Sequence, residues 1–158
     1  MDTKIKRIPE LPPEKERAQP LKLYNPDAFD HTKELRIKGI ELSDEYTRID
    51  FLYRSTPKYF NGGWVNIKAS SYIRPVGSRN RYSLLAAEGI PIAPEKHFFK
   101  QPGVLFPYSL IYPALPKSTK SIDIIEHLAP GEYFNFFNVR YASWMTVRHP
   151  LDIERNDN

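Results

Sequence analysis

The sequence predicts an all-β protein, an antiparallel sandwich or barrel built as one domain. Three observations lead there. Short runs of β-branched and aromatic residues alternate with turn signals, and no sustained helical period appears between residues 21 and 142. Proline is abundant, 15 of 158 residues against an average near 5%; each costs a helix interior about 3 kcal/mol, which disfavours a helical bundle. A chain of this length also buries about 70% of its unfolded surface, enough for a core without disulfides or metals.

The elements follow in order. Leu35–Leu42 is the first expected strand. In Tyr46–Arg54, Thr47, Ile49, Phe51 and Tyr53 share one face, while Arg48, Asp50 and Arg54 lie mainly on the other. Asn61-Gly62-Gly63 is a tight turn, since Asn and Gly take positive φ cheaply. Strands are expected at Trp64–Ala69, Tyr72–Arg74 and Arg81–Ala87, with a loop over 75–80. Gly89–Gly103 is a long connection carrying Pro91, Pro94 and Pro102; such loops are functional or packed down by their own side chains. Val104–Tyr112 places Phe106, Tyr108, Leu110 and Tyr112 on one face, with Pro107 opposite, the mark of an edge or a bulge. Pro113–Lys120 is a crossover, and Ser121–Ile125 and Tyr133–Val139 complete seven or eight strands. The expected core is Ile49, Phe51, Trp64, Ile67, Leu84, Phe106, Tyr108, Leu110, Ile122, Ile124, Phe134 and Phe136.

Residues 1–20 hold nine charges and four prolines, too polar to offset their ordering entropy, and read as a flexible tail. Residues 143–158 read as a second tail. Lys4, Lys6 and Arg7 are not followed by the apolar stretch of a secretory signal. The expectation is therefore an intracellular protein, or an exported one whose leader is absent. No apolar run approaches the ~20 residues of a membrane span.

Ala87–Glu95 (AEGIPIAPE), then His97-Phe98-Phe99, Ser109–Lys117 (SLIYPALPK), Ile122–Glu126 (IDIIE) and Phe134–Phe137 (FNFF) follow one another in an order that resembles immunoglobulin-like β-sandwich domains common in Bacteroidetes proteins. The resemblance spans roughly residues 40–139. It implies an antiparallel immunoglobulin-like sandwich and an accessory role, and it supplies no catalytic motif.

Zero cysteines exclude a thiol nucleophile, a disulfide scaffold and a cysteine-bound metal in this chain. No nucleophile elbow, zinc-protease helix or phosphate-binding Gly loop is present. His31, His97, His127 and His149 are too dispersed to form a local metal pair, and no cofactor is expected. His97 is expected to be anchored by its apolar neighbours. Asp123 and Glu126 flank an Ile pair and, three residues apart, do not share one strand face; the plain reading of the acids is a solvated β surface. A small hydrolase acting on glycans or esters would have to draw on Glu88, Glu95 and His97, which lie on or beside the long connection.

Charge is more informative. Six basic residues, Arg54, Lys58, Lys68, Arg74, Arg79 and Arg81, lie between Phe51 and Ala87 without an intervening acid. That stretch is +6 while the whole chain is +4. Arginine binds phosphate or carboxylate through paired hydrogen bonds, and aromatic faces stack on bases or sugar rings. The candidate partner-binding residues are Lys58, Arg74, Arg79, Arg81, Tyr59 and Tyr72, with the Lys58–Trp64 turn and the Pro75–Arg81 loop forming one edge. An ordinary solvated surface explains the same charges, since basic residues also guard sheet edges. The expectation is a non-enzymatic interaction module docking to a protein, with a carbohydrate as second choice; a net charge of +4 disfavours nucleic acid. A structural subunit of a larger assembly is the remaining alternative.

Overall fold

The computed structural model describes residues 22–24 and 29–140. The expected tails, 1–20 and 143–158, lie outside them. The described residues form eleven strands and no helix: β1 Lys22–Tyr24, β2 Leu35–Leu42, β3 Tyr46–Arg54, β4 Trp64–Val65, β5 Tyr72–Pro75, β6 Tyr82–Ser83, β7 Ala86–Glu88, β8 His97–Phe98, β9 Leu105–Pro113, β10 Ser121–Ile125 and β11 Phe136–Arg140. Among the described residues no helix is long and apolar enough to cross a membrane.

One sheet has the order β1-β2-β3-β9-β7 and the second β11-β10-β5-β6, while β4 and β8 form a separate two-stranded ribbon. All strand pairs are antiparallel, and both main sheets are open, not closed into a barrel. The sheets share one core. Phe51 on β3 lies 5.0 Å from Tyr108 on β9 and 6.0 Å from Phe136 on β11 in the other sheet. Tyr112 on β9 is hydrogen-bonded through its hydroxyl to Ser71 Oγ at 2.8 Å, and Ser71 Oγ donates to the Ile125 carbonyl of β10 at 3.0 Å. That chain of polar contacts fastens one sheet to the other inside the core.

Two bulges adjust which residues face inward. On β2, Lys38 and Gly39 together oppose Asp50, between the pairs Ile37–Phe51 and Ile40–Ile49. The extra residue lets Ile37 and Ile40, an odd spacing apart, both point into the core. The second bulge is on β11, between the pairs Ile122–Val139 and Ile124–Phe136. Asn138 there has φ 53°, a conformation Asn tolerates better than most residues. The buried Asp123 carboxylate accepts its backbone N–H at 2.9 Å and Arg74 Nε–H at 3.0 Å.

Several expectations change. Trp64 is 47% exposed and leaves the core list; Val65 beside it is buried instead. The turn before Trp64 resets which residues of the strand face inward. The Trp64–Ala69 strand shrinks to two residues, after which Ile67 makes an isolated parallel bridge to Ile92. The single strand expected over 81–87 is two strands in different sheets. Leu84 N–H donates to Ser71 O of the four-stranded side, and the next residue, Leu85, donates to Ile111 O of β9; the chain crosses between layers there. Pro107 pairs with Leu52 on β3, beyond Ser109, the last β9 residue paired with β7. It therefore sits where that flank of β9 is no longer paired, in keeping with its missing N–H. The Gly89–Gly103 connection is packed down: Ile90 and Phe99 are buried, and Ser55 Oγ donates to Gln101 O and accepts Val104 N–H.

Candidate binding surface

The turn after β3 builds one end of the molecule. Gly62 and Gly63 have φ of +85° and +69°. A Cβ on Gly62 would lie 2.3 Å from the Gln101 carbonyl oxygen, so only glycine lets the turn pass this close to the long connection. Asn61 Oδ1 accepts Gly63 N–H at 3.0 Å, and Gly62 N–H donates to Tyr59 O at 2.9 Å. The turn leaves Tyr59 and Phe60 facing solvent, Phe60 at 93% exposure. The ribbon adds Trp64 and, directly across from it, Phe98, both exposed. The Lys96 ammonium lies 4.4 Å from the Trp64 ring centroid. His97 packs against Phe99 and Phe106, at 4.9 and 4.6 Å between ring centroids.

Beneath this aromatic tip is a cleft of about 460 Å³. Tyr53, Tyr59, Trp64, Tyr133 and Phe134 give it ring surfaces; Thr32, Glu34, Asn66, Lys68, Glu126 and Glu132 give it polar groups. Glu126 follows β10 directly, at the end remote from Ser121, and is almost wholly buried. Its carboxylate accepts the backbone N–H of Phe134 at 2.8 Å and of Lys68 at 3.2 Å. Burial raises its pKa, against the opposing pull of those two hydrogen bonds and the Lys68 ammonium. Burial, helped by Glu34 and Glu132, pushes the Tyr53 phenol up to about 12. At the rim, Lys58 Nζ and Glu132 form an exposed ion pair at 2.7 Å. Asn135 closes the same loop: its Oδ1 accepts the N–H groups of Glu126 and His127, and its amide donates to His127 O.

Of the six candidate partner-binding residues, Lys58 and Tyr59 stand at this cleft or on its rim. The other four gather elsewhere. Arg74 is joined to Asp123 across β5 and β10. Tyr72 is buried, and the Arg81 guanidinium lies over its ring at 4.5 Å. Arg79 is exposed in the loop after β5. That loop is tied by Val76 N–H to Ser121 O, at the opposite end of β10 from Glu126. The Lys58–Trp64 turn and the Pro75–Arg81 loop therefore flank opposite ends of the four-stranded sheet and do not form one edge.

Glu88 and Glu95 do not meet in any contact. The Glu88 carboxylate pairs with Arg48 at 2.9 Å across β7 and β3, whereas Glu95 is exposed in the connection before β8. Asp123 and Glu126 are buried, not solvated; Asp123 accepts the Asn138 N–H in the β11 bulge, and Glu126 accepts the N–H groups of Phe134 and Lys68, which lie outside the strands. Sequence reasoning missed Trp64, Glu126, Glu132 and Tyr133 as neighbours. The Asn-Gly-Gly turn was the available signal for Trp64, because a turn just before a short strand lets its first residue point outward. No protein-family model, curated protein or solved structure matches the chain.

Proposed function

We propose that this chain is an immunoglobulin-like β-sandwich working as a non-enzymatic binding module, an accessory domain or subunit that docks to a protein or glycan partner. The strand order supports the fold. Assigning β2, β3, β9 and β7 to A, B, E and D, and β11, β10 and β5 to G, F and C, reproduces the two sheets of an immunoglobulin domain. β6 then extends the second sheet beyond C. The resemblance to Bacteroidetes accessory domains points the same way.

The observation that carries the binding role is the aromatic tip. Tyr59, Phe60, Trp64 and Phe98 are held outward within one turn and one ribbon, and clustered exposed rings of this kind mark interaction sites. The test is photocrosslinking in cells that make the protein. Benzoylphenylalanine at position 60 should give a discrete adduct, and the same group at position 117, an exposed site between β9 and β10, should not. Equal labelling at both positions, or none at 60, contradicts the proposal.

The hydrolase alternative has one observation in its favour, the buried Glu126 with its raised pKa in the wall of a cleft. A panel of chromogenic glycosides and esters decides it. The binding reading predicts no turnover; turnover abolished by Glu126→Gln would replace it with the enzyme.

A further inference from the structure

The composition of the cleft narrows what it takes. Two kinds of group dominate: the rings of Tyr59, Trp64 and Tyr133, and the polar side chains of Glu34, Lys68 and Glu132. Aliphatic lining is confined to Val65 and Ala93, so an acyl chain would find little continuous apolar wall. Flat rings beside hydrogen-bonding groups suit a ligand with apolar C–H faces and hydroxylated edges. Pyranose sugars have that form.

Charge decides between neutral and acidic sugars. Three carboxylates, Glu34, Glu126 and Glu132, line the cleft against one ammonium, Lys68. Lys58 at the rim is held by Glu132. A phosphate or uronate would meet more repulsion than attraction here. The basic surplus of the sequence is no help to it, because Arg74 is joined to Asp123, Arg81 lies over Tyr72 and Arg79 is in the loop after β5, and none of the three lines the cleft. A carboxylate accepts hydrogen bonds only, from both oxygens, and so can take neighbouring sugar hydroxyls as donors. Lys68, whose ammonium also lies 5.6 Å from the Tyr133 ring centroid, supplies the complementary donor. Lys96 lies over the Trp64 ring, which is nonetheless half exposed and lines the cleft.

We infer that this cleft binds a short run of neutral sugar rings, stacked on Trp64 and Tyr59 with hydroxyls held by Glu34, Glu132 and Lys68. This rests on the binding-module reading and names its ligand class. The cleft volume of about 460 Å³ falls within the ~300–1,000 Å³ typical of ligand sites. Phe60 and Phe98 extend the ring surface beyond the cleft, where further rings of a polysaccharide would pass.

Affinity electrophoresis tests it with the full chain. Native gels would contain xylan, glucomannan, galactan, mixed-linkage β-glucan, dextran or hydroxyethylcellulose, with polygalacturonate as the acidic comparison. At least one neutral polysaccharide should retard the protein, and Trp64→Ala should abolish the retardation. Tyr59→Ala is a second variant in case the first disturbs the ribbon; Arg79→Glu/Arg81→Glu should leave retardation unchanged. Migration unaffected by every neutral polysaccharide, retardation by polygalacturonate alone, or retardation that survives both ring truncations overturns the inference. If the gels fail while position 60 still crosslinks, the glycan assignment falls and the module reading stands. If the glycoside panel shows Glu126-dependent turnover, the module reading falls instead.

Discussion

Phe51 and Phe60 belong to consecutive stretches of chain and end in opposite surroundings. Phe51, in the middle of β3, is 2% exposed and packed against rings from both sheets, while Phe60, in the turn just after β3, is 93% exposed. The same contrast separates Tyr108 and Tyr112, inside, from Tyr59 and Trp64, outside. Residue type does not choose between the two fates. Position in a paired strand does: β3 has a neighbour on each flank and a second sheet over its inner face, whereas the Asn-Gly-Gly turn has neither. The molecule thus places its rings in two settings, buried between the sheets in the body and exposed to solvent at the tip.

Removing an inner ring should have the largest effect. Phe51→Ala should cost about 3–5 kcal/mol, the usual loss for a buried Phe, read as a fall in the urea midpoint at unchanged slope. A cost below about 1 kcal/mol would mean that the two sheets do not close on this ring.

Asp123→Ala comes next. It leaves Arg74 Nε and the Asn138 N–H without their acceptor, and should cost about 1–3 kcal/mol by thermal or urea unfolding. The β11 bulge amides should also exchange faster in deuterium, and unchanged protection there would show that the carboxylate does not hold the bulge.

Two tyrosines on one strand sharpen the comparison further. The Tyr112 hydroxyl meets Ser71, but the Tyr108 hydroxyl, equally buried, has no hydrogen-bond partner among the described residues. Burial raises both phenol pKa values; the hydrogen bond with Ser71 opposes the rise at Tyr112, and no hydrogen bond opposes it at Tyr108. Tyr112→Phe should cost about 1 kcal/mol, while Tyr108→Phe should be neutral or stabilising, because it removes a buried polar atom that gains nothing. Equal losses in both variants would contradict the assignment of the inter-sheet tie.

Glu126 gives a smaller, pH-dependent effect. Its folded-state pKa lies above the ordinary carboxylate value, so the native state holds the proton more tightly than the unfolded chain. Its contribution is present in full below the unfolded pKa and is lost as pH rises through the folded one. Urea midpoints of the wild type should therefore decline, relative to Glu126→Gln, over the lower part of a series from about pH 4 to 8. Parallel curves would mean that Glu126 titrates as an ordinary surface acid.

The long strands were legible because their pattern is periodic. Ile49, Phe51 and Tyr53 alternate with Arg48, Asp50 and Arg54, and β9 repeats the pattern with Tyr108, Leu110 and Tyr112. Where two registers meet, periodicity fails. Leu84 and Leu85 look like the middle of one strand, yet their N–H groups serve different sheets; no local pattern encodes that crossing. β1, three residues long, is defined by its pairing with Ile40–Leu42 and not by its own sequence. The cleft was hidden for a related reason. Tyr59, Trp64, Glu126 and Tyr133 come from two distant loops, and only the folded sheets bring them together. The basic cluster was visible as a run of charges, but the sequence could not show that Arg74 is joined to Asp123 or that Arg81 covers Tyr72.

The division of labour between inner and outer rings is tested most directly by unfolding a variant that loses two tip rings, Phe60→Ser/Phe98→Ser, in urea beside the wild type. The account predicts a stability within about 0.5 kcal/mol of the parent, as for surface substitutions in general. A loss approaching that of Phe51→Ala would show that the tip rings belong to the core, and would contradict the separation of inner from outer rings on which the proposed binding role rests.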